Sequence, residues 1–189
     1  MTTDATAIGS YSVWAIPPDD VSDRIKKVML GLRDEFGGAP AEIEPHFPIV
    51  GSIRMTREDA LNKLRTLIQS YPPGCISAFT ARVDEIVARP FYYQCVCLRI
   101  HYSHQLKEIS RCCSHKWGLR FPGVPYLSLL YGKLTEEERK KARDKVSVLD
   151  ETITSLSFPV TRLALYKINY KDKTLKSWEK IAELPLQLN

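Results

Sequence analysis

Glu44-Pro45-His46-Phe47-Pro48-Ile49 and Val124-Pro125-Tyr126-Leu127-Ser128-Leu129 decide how this chain reads. They share the pattern x-Pro-aromatic-x-x-aliphatic and stand 80 positions apart. Each opens a short apolar strand, and each strand leads within ten residues to a helix start with a capping-box pattern. Those starts are Thr56-Arg57-Glu58-Asp59, with Asp for the usual Glu, and Thr135-Glu136-Glu137-Glu138. Two equivalent strand–helix units predict two lobes related by pseudo-symmetry, with the groove between them as the natural ligand site. Side chains at i and i+2 of a strand share a face, so His46 and Pro48 line one surface and Tyr126 and Ser128 the other.

Outward from these units, the period of apolar residues predicts a strand over Ser10–Ile16, ended by Pro17-Pro18. A helix capped by Asp20 or Ser22 follows to Phe36, with Ile25, Val28, Met29 and Leu32 on one face and Gly37-Gly38 as its stop. Further strands are expected over His46–Ile53, Ala78–Val87, Phe91–His101, Tyr126–Tyr131, Ser155–Tyr170 and Lys176–Ala182. Helices are expected over Thr56–Ser70, His104–His115 and Thr135–Asp150. Pro72-Pro73-Gly74 marks a loop, and Ala88-Arg89-Pro90 joins a hairpin. Strands and helices mix without strict β-α-β alternation, which gives the α+β class. No G-x-G-x-x-G follows a strand and no G-x-x-x-x-G-K-[ST] occurs, so dinucleotide-binding and P-loop readings fall away.

Composition narrows the class. The 189 residues are 44% hydrophobic and 26% charged, with no run of eighteen apolar residues, so a globular chain without a membrane span is expected. The start, Met1-Thr-Thr-Asp-Ala-Thr-Ala-Ile-Gly-Ser10, lacks a basic segment and an apolar stretch. No signal peptide is read there, and the cytoplasm is the expected compartment. Lys and Arg exceed Asp and Glu by 27 to 22, a formal +5 that suits small phosphorylated ligands. The absence of a long basic stripe argues against extended nucleic-acid binding. Five cysteines, none in C-x-x-C spacing, read as buried thiols. No spacing forms a metal-ligand cluster, and no cofactor is expected.

The two motifs resemble the paired H-x-[ST] signature of the two-histidine phosphoesterase superfamily, and within it the plant cyclic phosphodiesterases. The likeness runs through Tyr11-Ser-Val-Trp-Ala-Ile-Pro17, Pro45-His46, Phe91-Tyr-Tyr-Gln-Cys-Val96 and Pro125-Tyr-Leu-Ser-Leu-Leu-Tyr-Gly132. It continues in Leu134-Thr-Glu-Glu-Glu138, Arg162-Leu-Ala-Leu-Tyr166 and Asp172-Lys-Thr-Leu-Lys-Ser-Trp178, so it covers nearly the whole chain in order. It implies one bilobal domain over residues 1–189, with two antiparallel sheets lining a central groove and helices outside. It also implies metal-free hydrolysis of a small nucleotide-derived cyclic phosphate. Such enzymes open ADP-ribose 1″,2″-cyclic phosphate, a by-product of tRNA splicing, to ADP-ribose 1″-phosphate. They also open nucleoside 2′,3′-cyclic phosphates to 2′-phosphates.

This chain departs from the signature at both motifs. His46-Phe47-Pro48 keeps the histidine and loses the hydroxyl; Tyr126-Leu127-Ser128 keeps the hydroxyl and loses the histidine. The expected roles are His46 as base and Ser128 as phosphate anchor, with Tyr126 as either a substitute acid or a packing aromatic. Trp14, Tyr93 and Tyr131 fall where the resemblance puts groove-lining aromatics, on which a base stacks. A well-placed general acid or base contributes roughly 10²- to 10⁴-fold, so turnover below a two-histidine site is expected. The alternative is a family member without activity that binds a nucleotide, an RNA end or a protein partner.

Overall fold

The structure, a computed structural model, describes residues 6–40, 42–69, 76–119 and 123–188. The Pro72-Pro73-Gly74 loop and Cys75 lie outside them. Among the described residues, eight strands form two four-stranded sheets in which every pairing is antiparallel. The first sheet is ordered β2-β1-β7-β8, from β1 (Ile8–Ala15), β2 (Phe47–Thr56), β7 (Arg162–Ile168) and β8 (Glu179–Pro185). The second is ordered β5-β4-β3-β6, from β3 (Phe79–Ala88), β4 (Val96–Ile100), β5 (Tyr126–Leu130) and β6 (Ser157–Val160).

The two halves repeat one another in topology, as the paired motifs lead one to expect. β1 and β2 stand to β7 as β4 and β5 stand to β3. Helix α1 (Asp19–Phe36) follows β1 yet lies against β5 and α4 (Glu136–Leu149). Helix α3 (His104–Lys116) follows β4 yet lies against β2 and α2 (Arg57–Gln69). α2 covers β1, β2 and β7, whereas α4 covers β3 and β4. Their faces explain this: Ile25, Val28 and Leu32 of α1, Leu64 and Leu67 of α2, and Val146 of α4 are buried at helical spacing. The Thr135–Glu138 capping box is complete, and the Thr56 hydroxyl accepts from the Asp59 amide at 3.1 Å.

Several boundaries differ from the sequence reading, and four of the differences have a clear local cause. α1 begins at Asp19 without a side-chain cap; Pro18 with φ −58° turns the chain into it, and the Ser22 hydroxyl donates to the Pro17 carbonyl. The Phe91–His101 run is not one strand, because Tyr92–Gln94 forms a single 3₁₀ turn and β4 starts at Val96. The Tyr92 carbonyl accepts from the Gly132 amide, which pulls this turn toward the end of β5. The Ser155–Tyr170 run breaks at Thr161, so that β6 joins one sheet and β7 the other. The last strand starts at Glu179 rather than Lys176, because Asp172 folds the residues before it into a tight loop.

Two prolines inside strands sit where the sheets tolerate them. Pro48 is on β2 and Pro159 on β6, both edge strands, where a missing N–H breaks no ladder on the open side. Pro48 pairs with Trp14, and the β1–β2 register shifts just before that pair.

Candidate functional site

His46 is placed by the step from the Glu44-Pro45 segment into β2. Its ring is only 7% exposed. Nδ1 donates to the Glu44 carbonyl at 2.9 Å; since a carbonyl only accepts, the proton is on Nδ1 and Nε2 carries the lone pair. Trp14 stacks on the imidazole with centroids 3.4 Å apart, and also on Tyr166 at 3.8 Å. Trp14 is fixed in turn, its Nε1 donating to the Ser12 hydroxyl and that hydroxyl to the Val50 carbonyl. Glu44 is held by the Tyr166 hydroxyl, which donates to it, and by Lys180 at 2.8 Å. Burial drives the His46 pKa down to about 4, against a smaller opposing pull from the Glu44 carbonyl. His46 is therefore a neutral imidazole at pH 7.

The second motif lies on β5. Cys97 pairs with Ser128 and Arg99 with Tyr126, so these side chains share one sheet face. The Ser128 hydroxyl donates to the Tyr93 carbonyl at 2.5 Å and is 4.0 Å from the Cys97 sulfur. Tyr126 is half-buried beneath the Arg89 guanidinium, whose carbon is 4.1 Å from the ring centroid. Of the other histidines, His101 faces Asp84 at 3.2 Å, and His104 and His115 are exposed on α3.

Between the two motifs stands an aromatic cluster. Trp178 meets Trp14 at 5.9 Å, Tyr93 at 5.6 Å and Tyr131 at 6.5 Å. Tyr93 also meets Tyr170 at 4.9 Å. The loop between β7 and β8 brings Tyr170 and Trp178 here, and main-chain carbonyls hold it down. Tyr92 and Tyr93 hydroxyls donate to the Lys173 and Tyr170 carbonyls at 2.5 Å each, and Trp178 Nε1 donates to the Asn169 carbonyl at 3.1 Å. Asp172 accepts from Ser177 and Thr174, bonds that hold its carboxyl well below the usual range. Leu175, at φ 61°, turns inward and is buried in the cluster.

The expected aromatics Trp14, Tyr93 and Tyr131 thus come together, while Tyr166, Tyr170, Trp178 and Glu44 join them unforeseen. Tyr166 and Trp178 end two of the stretches that carry the family likeness, which is the signal that marks them. A cavity of about 290 Å³ adjoins the cluster through Glu44, Tyr131 and Tyr166 and has Met29, Arg33 and Ile43 in its wall, but not His46, Tyr126 or Ser128. The buried thiols Cys95, Cys97 and Cys113 are free, their pKa pushed by burial up to about 11, 12 and 12. Cys112 is disulfide-bonded, contrary to the reading of every cysteine as a free thiol. Among the described residues, no three His, Cys, Asp or Glu groups come together to hold a metal ion, and no helix is long and apolar enough to cross a membrane.

No family model matches the chain. Among curated proteins it is similar to the cyclic phosphodiesterase of Arabidopsis thaliana, 38% identical over 174 residues, which is 91% of this chain and 92% of that protein. Among solved structures it is similar to Escherichia coli LigT in apo form, with TM-score 0.61 and 12% identity over 96% of this chain and 99% of that one. It is similar also to LigT complexed with 3′-AMP, with TM-score 0.60 and 11% identity over 95% and 98%. The paired sheets, the repeated topology and these likenesses define a two-histidine phosphoesterase fold. Within that class the chain belongs to the cyclic phosphodiesterase family, on the strength of its likeness to the Arabidopsis protein over nearly its whole length.

Proposed function

We propose that the protein hydrolyses small nucleotide-derived cyclic phosphates, ADP-ribose 1″,2″-cyclic phosphate to ADP-ribose 1″-phosphate and nucleoside 2′,3′-cyclic phosphates to 2′-phosphates, at a reduced rate. The observation that carries this reading is the tautomer of His46. With Nδ1 bound to the Glu44 carbonyl, Nε2 is free to take a proton from attacking water. Ser128 would anchor a phosphate oxygen by turning its hydroxyl away from the Tyr93 carbonyl. The leaving oxygen meets Tyr126 where a second histidine would protonate it, and the loss of that acid accounts for a deficit of roughly 10²- to 10⁴-fold. Trp14, Tyr93 and Tyr131 supply faces for a base.

A second reading, a binding module without turnover, is favoured by the 7% exposure of His46 and by the aromatic cluster between the motifs. Its ligand would be a nucleotide or RNA end, or a protein partner at the surface. Multiple-turnover hydrolysis of ADP-ribose 1″,2″-cyclic phosphate at high enzyme concentration, with His46→Ala in parallel, separates the two. Product above buffer that vanishes in the variant is expected. Equal, background product from both proteins sinks the enzymatic reading for this substrate.

A further inference from the structure

The face that carries Tyr126 and Ser128 also carries two arginines, and they differ in what neutralises them. Arg99 is paired with Glu85 at 2.7 Å and lies 3.7 Å from Asp84. Arg89 has no carboxylate within ion-pair distance among the described residues; its Nη1 donates instead to the neutral Gln94 side-chain oxygen at 2.6 Å. Its guanidinium lies over the Tyr126 ring at 4.1 Å and near Phe91 at 5.1 Å. The row Val87–Cys97–Ser128 crosses the sheet between position 89 and Tyr126. To reach the Tyr126 ring the Arg89 side chain passes back over this row, and its charge is felt at the Cys97 sulfur. A half-buried cation with no carboxylate partner among the described residues is thereby held on the face that carries Ser128, by the Tyr126 ring on one side and one hydrogen bond on another.

We propose that Arg89 is a phosphate-binding residue of this site, a planar cation seated on Tyr126 where the family signature carries its second histidine. The inference rests on reading the groove as a phosphate-ester site and deepens it by naming what holds the phosphate. A guanidinium donates in a fork that matches two phosphate oxygens, a task for which an imidazole has one N–H at a time. It does not serve as the proton donor that an imidazolium is. The site therefore favours ligands bearing a terminal phosphate over the same nucleoside without one, whether or not turnover follows. Gln94 and Tyr126 act as positioning residues, fixing the plane in which the fork opens.

Calorimetric titration of adenosine 2′-monophosphate and of adenosine, on the wild type, Arg89→Met and Arg89→Lys, tests this. The expected result is a loss of about ten-fold or more in affinity for the monophosphate in R89M, with adenosine binding and melting temperature unchanged. R89K, which keeps the charge without the fork, should fall between. Equal monophosphate affinity in wild type and R89M overturns the proposal, as does a wild type that does not distinguish the two ligands. Equal weakening of both ligands, or a lowered melting temperature, assigns Arg89 to packing and overturns it too. If R89M does not fold, Arg89→Gln is read in the same way. Turnover is not required: phosphate-dependent binding without hydrolysis would refute the catalytic reading and keep this one, and hydrolysis unaffected in R89M would do the reverse.

Discussion

Lowering the pH from 7.5 to 4.5 should destabilise the wild type more than a His46→Gln variant. The sign follows from burial. In the unfolded chain a histidine takes its proton near pH 6.5, whereas in the fold His46 resists until about pH 4. Between these values the unfolded state binds more protons, so stability is lost as the pH falls through that window and is intact above it. The gap of about 2.5 pKa units caps the effect at about 3 kcal/mol. Integrated to pH 5.5 it is about 1 kcal/mol, and to pH 4.5 between about 2 and 3 kcal/mol. Glutamine has no such proton to take, and the carboxylates common to both proteins cancel in the difference. Urea unfolding at four or five pH values gives the two curves; by thermal melting the gap amounts to roughly 5–10 °C for a chain of this size. Parallel curves for the two proteins would refute the burial argument, and so would a His46 imidazole found by NMR to titrate near pH 6.5.

Trp14→Ala removes the ring that stacks on both His46 and Tyr166, and should cost about 3–5 kcal/mol of stability by denaturant unfolding. In the same variant water reaches the imidazole, so its NMR titration should move up from about 4 toward the ordinary range. Gly38→Ala should be severe. The residue sits at φ 110°, and an added Cβ would stand 2.4 Å from the Tyr131 carbonyl oxygen. Loss of the Ala39–Tyr131 hydrogen bond alongside that clash should lower the melting temperature by several degrees, measured by circular dichroism.

The sequence was most legible where one local interaction decides the outcome. Ile25, Val28 and Leu32 recur at helical spacing and are buried as that spacing requires; Thr135 and Glu138 form their capping box from four residues alone. The aromatic centre was only half legible. Tyr131 is near its motif in sequence and Trp14 lies in the first stretch that carries the likeness, but Trp178 reaches them from the far side of a loop folded by Asp172, and no periodicity encodes that return. Strand reading failed where a continuous apolar run serves two sheets. Phe158 and Leu163 read alike as strand residues, yet Thr161 between them is where the chain changes sheet. The burial of His46 was also invisible, because it depends on a ring from β1 that stacks on it and a ring from β7 that packs on the first and bonds Glu44.

The crossing of α1 and α3 bears on how such a molecule comes to exist. Each helix leaves the sheet that launched it and finishes the apolar face of the other, so neither half contains its own complete interior. A chain cut between β3 and β4 would yield two fragments, each with a sheet missing strands and a helix missing its partner surface. Whatever duplication the paired motifs record, buried side chains of both sheets belong to one apolar core. Damage to the apolar face of one helix is then felt in the opposite lobe, and the two motifs hold their relative positions through the interior of the whole protein.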